Sequence, residues 1–162
     1  MLRDRLNETL KSSMKEKNQV AMSTLRLILT AIKDRDIAAR SKGVDNGIGE
    51  PEILQVLQTM VRQRHESIEM YKQGNRPELA EREAEEIEVI EHFMPRQLGD
   101  AEIEAAVVSV IEDTEAGSIK DMGKAMGALR ERYAGQMDFG KASALLKAQL
   151  SGGSCLISDP PA

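Results

Sequence analysis

Two carboxylate–imidazole pairs are the first places in this 162-residue sequence where chemistry could sit: His65 with Glu69, and Glu88 with His92. Residues four apart share a helix face, so each pair could ligate a metal or pass a proton. A di-iron bundle would instead set a glutamate three residues before each histidine, and Arg62 and Val89 stand there. The expectation is therefore two solvated faces and no metal. Cys155 lies between Ser154 and Leu156 with no base nearby, a poor setting for a reactive thiolate. As the only cysteine, it also excludes a disulfide framework or a cysteine zinc site within one chain. No nucleophile, base and orienting group converge, so no catalytic residue and no cofactor is expected, and the chain reads as no enzyme on its own.

A binding chemistry has more support. Lys120, Lys124, Arg130, Arg132, Lys141 and Lys147 all fall within residues 118–150, where only three acids occur. In the same stretch, MGKAMGALR sets Gly123 and Gly127 four apart on one helix face. Each glycine costs a helix about 1 kcal/mol relative to alanine. Two reasons could justify them: close packing by another helix, or close approach of a nucleic-acid backbone. The net charge of -5 speaks against a nucleic-acid partner only as an average. Residues 1–42 carry ten basic and five acidic side chains, 75–116 carry three and thirteen, and 118–150 carry six and three. Such segregation fits either solvated helix faces or two positive surfaces separated by an acidic strut that repels RNA.

The elements that must position these residues are all helical. Aromatics are only 2% of the chain, so the core must be built from Leu, Ile, Val, Met and Ala between helices. The expected N-terminal helical domain, residues 1–94, has four helices as two antiparallel hairpins. Leu2, Leu6, Leu10 and Met14 recur every four residues on the first. Asn18 caps a second to about Arg40, apolar on two sides. GVDNGIGEP, residues 43–51, is a loop without a phosphate-binding fingerprint. A third helix runs from Pro51 to about Gln73. The fourth, acidic helix starts at Asn75 and Pro77, with Ala80, Ala84, Ile87, Ile90 and Met94 as its buried stripe, and Pro95 is expected to act as a hinge. Residues 95–153 are expected to form a three-helix bundle, with helices begun by Asp100, by Ser118 or Asp121, and by Asp138. Residues 154–162 read as a flexible tail.

The segments RQRHESIEMYKQGNRPELAEREAEEIEVIEHFMPRQL and DMGKAMGALRERYAGQMDFGKASALLKAQL resemble the signature regions of the GatB/YqeY family, over residues 1 to about 153. The second resembles the small tail domain of the B subunit of the tRNA-dependent amidotransferase, which holds the outer corner of tRNA. Met122, Gly123, Met126, Gly135, Asp138, Leu145, Leu146 and Leu150 match it as scaffold positions. Where that tail often has Asn-Pro at its last helix, this chain has Asp138 and Phe139, and aspartate caps equally well. The catalytic cradle of the B subunit has no counterpart here. The link to carbon–nitrogen ligase activity with glutamine as amide donor is thus one of association.

What the resemblance implies is a tRNA-binding or tRNA-amidotransferase-associated module, with tRNA or a tRNA-amidating complex as partner. The alternative is a helical protein–protein adaptor without RNA binding. The stretch Val20–Ile32 is too short and too polar to span a membrane, and the N-terminus lacks an apolar signal-peptide core. A cytoplasmic setting is the expectation.

Overall fold

The computed structural model describes residues 1–152, and among them every regular element is helical. By their internal contacts these residues form two units, Met1–Pro95 and a second from Arg96 onward. Cys155 and the tail expected over 154–162 lie outside the described residues.

In the first unit, α1 (Leu2–Glu16) and α2 (Gln19–Arg40) are joined by a tight turn. Lys17 there takes φ 58° and donates its amide to the Met14 carbonyl, while the Asn18 side chain accepts the Ala21 amide at 3.1 Å. Left-handed backbone followed at once by a side-chain cap reverses the chain within two residues. Leu2 and Leu6 are buried, but Met14 is exposed and Ser13 takes its place, because α1 turns slightly away from a strict four-residue repeat. Leu25, Ile28 and Ile32 of α2 are fully buried or nearly so, and α2 contacts α1, α3 (Glu50–Gln73) and α4 (Pro77–Glu91). The second helix is thus the centre of this unit. Each such Leu or Ile contributes about 1.5–3 kcal/mol by leaving water.

The loop between α2 and α3 is held by one polar knot. Arg3 donates to both Asp36 oxygens at 2.9 and 2.7 Å and to the Ile48 carbonyl at 3.0 Å. Asp36 in turn accepts the Ile48 amide at 2.8 Å. Gly47, at φ 82°, lets the chain pass this close: a Cβ there would meet Asp36 Oδ1 at 2.8 Å.

Helix α4 departs from its expected register. Asn75 does not cap it; Asn75 sits in the turn at φ 56°, and Arg76 occupies the position before Pro77. Ala84, expected in the buried stripe, is exposed, and Glu86 is buried instead beside Ala80, Ile87 and Ile90. The cause is across the hairpin: Arg64 Nε of α3 donates to Glu86 Oε2 at 2.9 Å and its Nη1 to the Met60 carbonyl at 3.2 Å. The helix ends at Glu91, and beyond it Phe93 is buried with Arg5 over its ring at 5.7 Å, while Met94 is partly buried against the same core.

The second unit packs α5 (Asp100–Thr114) against α6 (Met122–Arg132) and α7 (Phe139–Ser151). Asp100 is the first helical residue of α5 and not its cap. Gly99 occupies the cap, and Glu102 reaches back to accept the Gly99 amide at 2.8 Å. Asp138 does cap α7, accepting the Gly140 amide at 2.8 Å. Val107, Val110, Ala125, Leu129, Ala142 and Leu146 are wholly buried and form a core separate from that of the first unit.

Candidate nucleic-acid interface

Between α5 and α6 a short 3₁₀ turn, Ile119–Asp121, carries Lys120. Asp121 shapes it by accepting the amides of Gly117 at 3.0 Å and Ser118 at 3.1 Å. Those two backbone donors hold the Asp121 carboxyl below its ordinary range. Its charge is therefore fixed at the start of α6, where the helix dipole favours an anion.

Helix α6 buries Ala125 and Leu129, with Met122 and Met126 partly covered, so its opposite face carries Gly123, Lys124, Gly127 and Arg130. Both glycines are exposed, and a Cβ at either would meet nothing within 4 Å. Packing against another described helix of this chain is thus not what they serve, which also sets Gly123 apart from the scaffold positions. Gly135, by contrast, is buried at φ 72°, and its carbonyl accepts Gln97 Nε2 at 2.6 Å. That glycine is structural.

The six basic side chains divide into two sets. Lys124 donates to the Thr114 carbonyl at the end of α5 at 3.1 Å, Arg132 to Asp113 at 2.5 Å and Lys141 to Asp100 at 3.2 Å. The Asp113 carboxylate holds the Arg132 guanidinium above its ordinary value, so its charge is permanent. Lys120, Arg130 and Lys147 are exposed and form no ion pair with a described residue. Periodicity found the cations, but it missed which of them are tied. Asp113 lies 19 residues from Arg132 and Asp100 lies 41 from Lys141, beyond any spacing a single helix reveals.

The histidine pairs stay apart from any site. His65 and Glu69 are exposed, Glu69 faces Lys72 at 3.6 Å, and His92 packs edge-on to Phe93 at 5.4 Å. Among the described residues no group of three or more His, Cys, Asp or Glu could hold a metal ion. An open cleft of about 490 Å³ lies between the start of α2 and α4, lined by Gln19, Ser23, Glu78, Glu81, Arg82 and Glu85. Its one hydroxyl, Ser23 Oγ, is bound to the Val20 carbonyl at 3.1 Å. Glu78, Glu81 and Glu85 with Arg82 make that cleft polar.

Every described element is helical, and the C-terminal bundle carries exposed cations and, on α6, an open Gly123–Gly127 face. The family model for YqeY, described as "Yqey-like protein", matches residues 3–150, and the chain belongs to that family. It is 32% identical over 110 residues to "Altered inheritance of mitochondria protein 41, mitochondrial" of Lachancea thermotolerans, covering 67% of this chain and 57% of that protein. The Kluyveromyces lactis protein of the same name is 28% identical over the same shares, and that of Pyrenophora tritici-repentis 26% identical over 82% of this chain and 71% of its own length. The chain thus spans little more than half the length of the first two relatives. Among the described residues no helix is long and apolar enough to cross a membrane.

Proposed function

We propose that this protein binds RNA, with tRNA or a tRNA-amidating complex as the partner class, through the outer surface of its C-terminal bundle and without chemistry of its own. One observation carries this reading: Lys120, Arg130 and Lys147 stand exposed and without an ion pair among the described residues, and Arg130 flanks the open Gly123–Gly127 face. Absent side chains on one helix face let a phosphate backbone approach, and neighbouring cations supply its counter-charge. The resemblance to the amidotransferase tail supports the choice of tRNA. The cytoplasm, or the mitochondrion that the relatives' names carry, is the proposed setting, and cell fractionation with a tagged chain distinguishes them.

Titration of labelled tRNA at about 50 and about 200 mM salt tests the reading, since contacts to phosphates weaken steeply with salt. Lys120→Gln, Arg130→Gln and Lys147→Gln together should weaken low-salt binding by about tenfold or more. Unchanged affinity in that variant, or no binding by the full chain at low salt, overturns it. A protein-docking reading has its own support in the N-terminal unit, where Leu27, Ile37 and Met70 are 50%, 55% and 71% exposed. A partner retained after nuclease treatment, and lost on Met70→Ser, would favour it.

A further inference from the structure

The N-terminal unit carries a charged face that the bundle does not account for. Arg26, Lys33 and Arg40 of α2 are seven residues apart, and all three are exposed. At about 1.5 Å rise per residue they stand about 10.5 Å from one another along the axis. Seven residues are nearly two turns, so the three share one side of the helix, with Thr30 and Ile37 between them on the same exposed face. None of the three forms an ion pair or a side-chain hydrogen bond with a described residue, although Arg40 helps hold the Asp36 carboxyl low. Two acids border this row: Asp34, exposed beside Lys33, and Asp36, three residues after Lys33 and four before Arg40, whose charge is already taken up by Arg3.

The opposite side of α2 is fixed. Leu25, Ile28 and Ile32 are locked in the core, and at the edge of the cation row the Arg3–Asp36 pair anchors the helix between Lys33 and Arg40. A rigid row of spaced cations costs little conformational entropy beyond its own side chains when it meets a polyanion.

We propose that the outer face of α2 is a second RNA-contact surface, a row of three cations that seats a phosphate backbone independently of the C-terminal bundle. The proposal rests on the RNA-binding reading above and extends it to the other unit. Charge complementarity names a polyanion, and the pattern between the cations selects RNA over a lipid surface. Membrane-seated helices need a broad continuous apolar face. Here Leu27 and Ile37 stand singly, 50% and 55% exposed, on a helix whose other side cannot leave the core. Single apolar side chains between phosphate contacts suit a sugar edge or a base.

The experiment uses the full chain and bulk tRNA, followed by fluorescence anisotropy from about 50 to about 200 mM salt. Two variants are compared, Arg26→Gln/Lys33→Gln/Arg40→Gln on α2 and Lys120→Gln/Arg130→Gln/Lys147→Gln on the bundle, with thermal melts to confirm that each is folded. The α2 variant should bind about tenfold or more weakly at low salt, and its log–log salt slope should shrink by about 2 to 3, as loss of three phosphate contacts requires. An unchanged slope and affinity for the α2 variant, with the bundle variant impaired, overturns this proposal alone. The reverse result overturns the bundle reading and leaves this one standing, and no binding by the parent chain overturns both. Phosphatidylglycerol vesicles are the control: vesicle binding lost in the α2 variant while its tRNA affinity is unchanged would make this face a lipid surface and overturn the proposal.

Discussion

Arg64 in the N-terminal unit and Arg132 in the C-terminal unit each bind one carboxylate on a neighbouring helix, yet their side chains are 11% and 43% exposed and their partners Glu86 and Asp113 12% and 51%. Arg64–Glu86 is part of the packing between α3 and α4. Its two charges left water together, so each depends on the other. Arg132–Asp113 remains in solvent, which screens it and leaves the arginine accessible to an external anion. The N-terminal unit thus builds one of its ion pairs into its packing, besides the exposed ones such as Arg62–Glu66, whereas the pairs of the C-terminal bundle stand in solvent.

The largest effects test whether the two regions are separate at all. Leu57→Ala and Leu129→Ala should each cost about 2–5 kcal/mol, because both side chains are wholly buried. The two tyrosines, Tyr71 and Tyr133, give each unit one intrinsic reporter. Denaturant unfolding followed in Tyr71→Phe and Tyr133→Phe backgrounds should show Leu57→Ala shifting only the Tyr71 signal and Leu129→Ala only that of Tyr133. Equal shifts in both signals would show that the units unfold as one.

Next in size is the buried pair. Arg64→Met leaves Glu86 with only the distant, exposed Arg82 at 4.0 Å and should cost about 3 kcal/mol, most of it recovered when Glu86→Leu is added. Arg132→Ala should cost less than about 1 kcal/mol. Similar losses for the two arginines, measured by the same tyrosine signals, would erase the contrast between the units.

That contrast was only half visible in the sequence. Spacing at three and four residues found the helices, and Asn18 and Asp138 announced their caps, because those signals are local. Glu86 is one of seven glutamates between 78 and 91, and nothing local marks it as the buried one. Arg64, 22 residues away on the facing helix, selects it, and in doing so turns α4 so that Ala84 faces water. The same non-locality hid which cations of the bundle are tied to Asp113 and Asp100. Gly123 and Gly127 were legible as a shared face, but their openness depends on where α5 and α7 pack. Asp100 and Asn75 looked like caps by type, yet Gly99 and Arg76 hold those positions, since the chain before each helix sets where helical backbone begins.

Acid should separate the units further. Arg3 donates two hydrogen bonds to Asp36 and, with the Ile48 amide, holds its carboxyl below the ordinary value. A carboxyl depressed in the folded state contributes stability that is fully present above the unfolded value of about 3.9 and is lost as pH falls through the lower folded value. The Tyr71 transition should therefore fall below about pH 4, and Asp36→Asn should flatten that fall. In the C-terminal unit Glu102 and Asp121 are also held low, by Arg96 and by the Gly117 amide first, but Glu102 is solvent-exposed and Asp121 only half-buried. Salt should weaken the Glu102–Arg96 contribution to the Tyr133 transition more than it weakens the Asp36 contribution to that of Tyr71. Equal salt sensitivity would mean that the Arg3–Asp36 knot is no better shielded than a surface pair.

The smallest predicted effect concerns two helical threonines. Thr114 donates its hydroxyl to the Val110 carbonyl at 2.7 Å, four residues back. Thr24, wholly buried in α2, has no hydrogen-bond partner for its Oγ1 among the described residues. The carbonyl four residues before it belongs to Val20, and Ser23 Oγ already donates there at 3.1 Å. An orphaned buried hydroxyl keeps its desolvation cost with nothing to offset it. Thr24→Val keeps the shape, removes the polar atom and should raise stability by about 1 kcal/mol, read as a later Tyr71 transition. Thr114→Val should do the opposite by a few tenths to about 1 kcal/mol in the Tyr133 signal, because it breaks a bond that exists. If Thr24→Val lowers stability instead, its hydroxyl has a partner in solution, and the N-terminal core is wetter at α2 than its packing indicates.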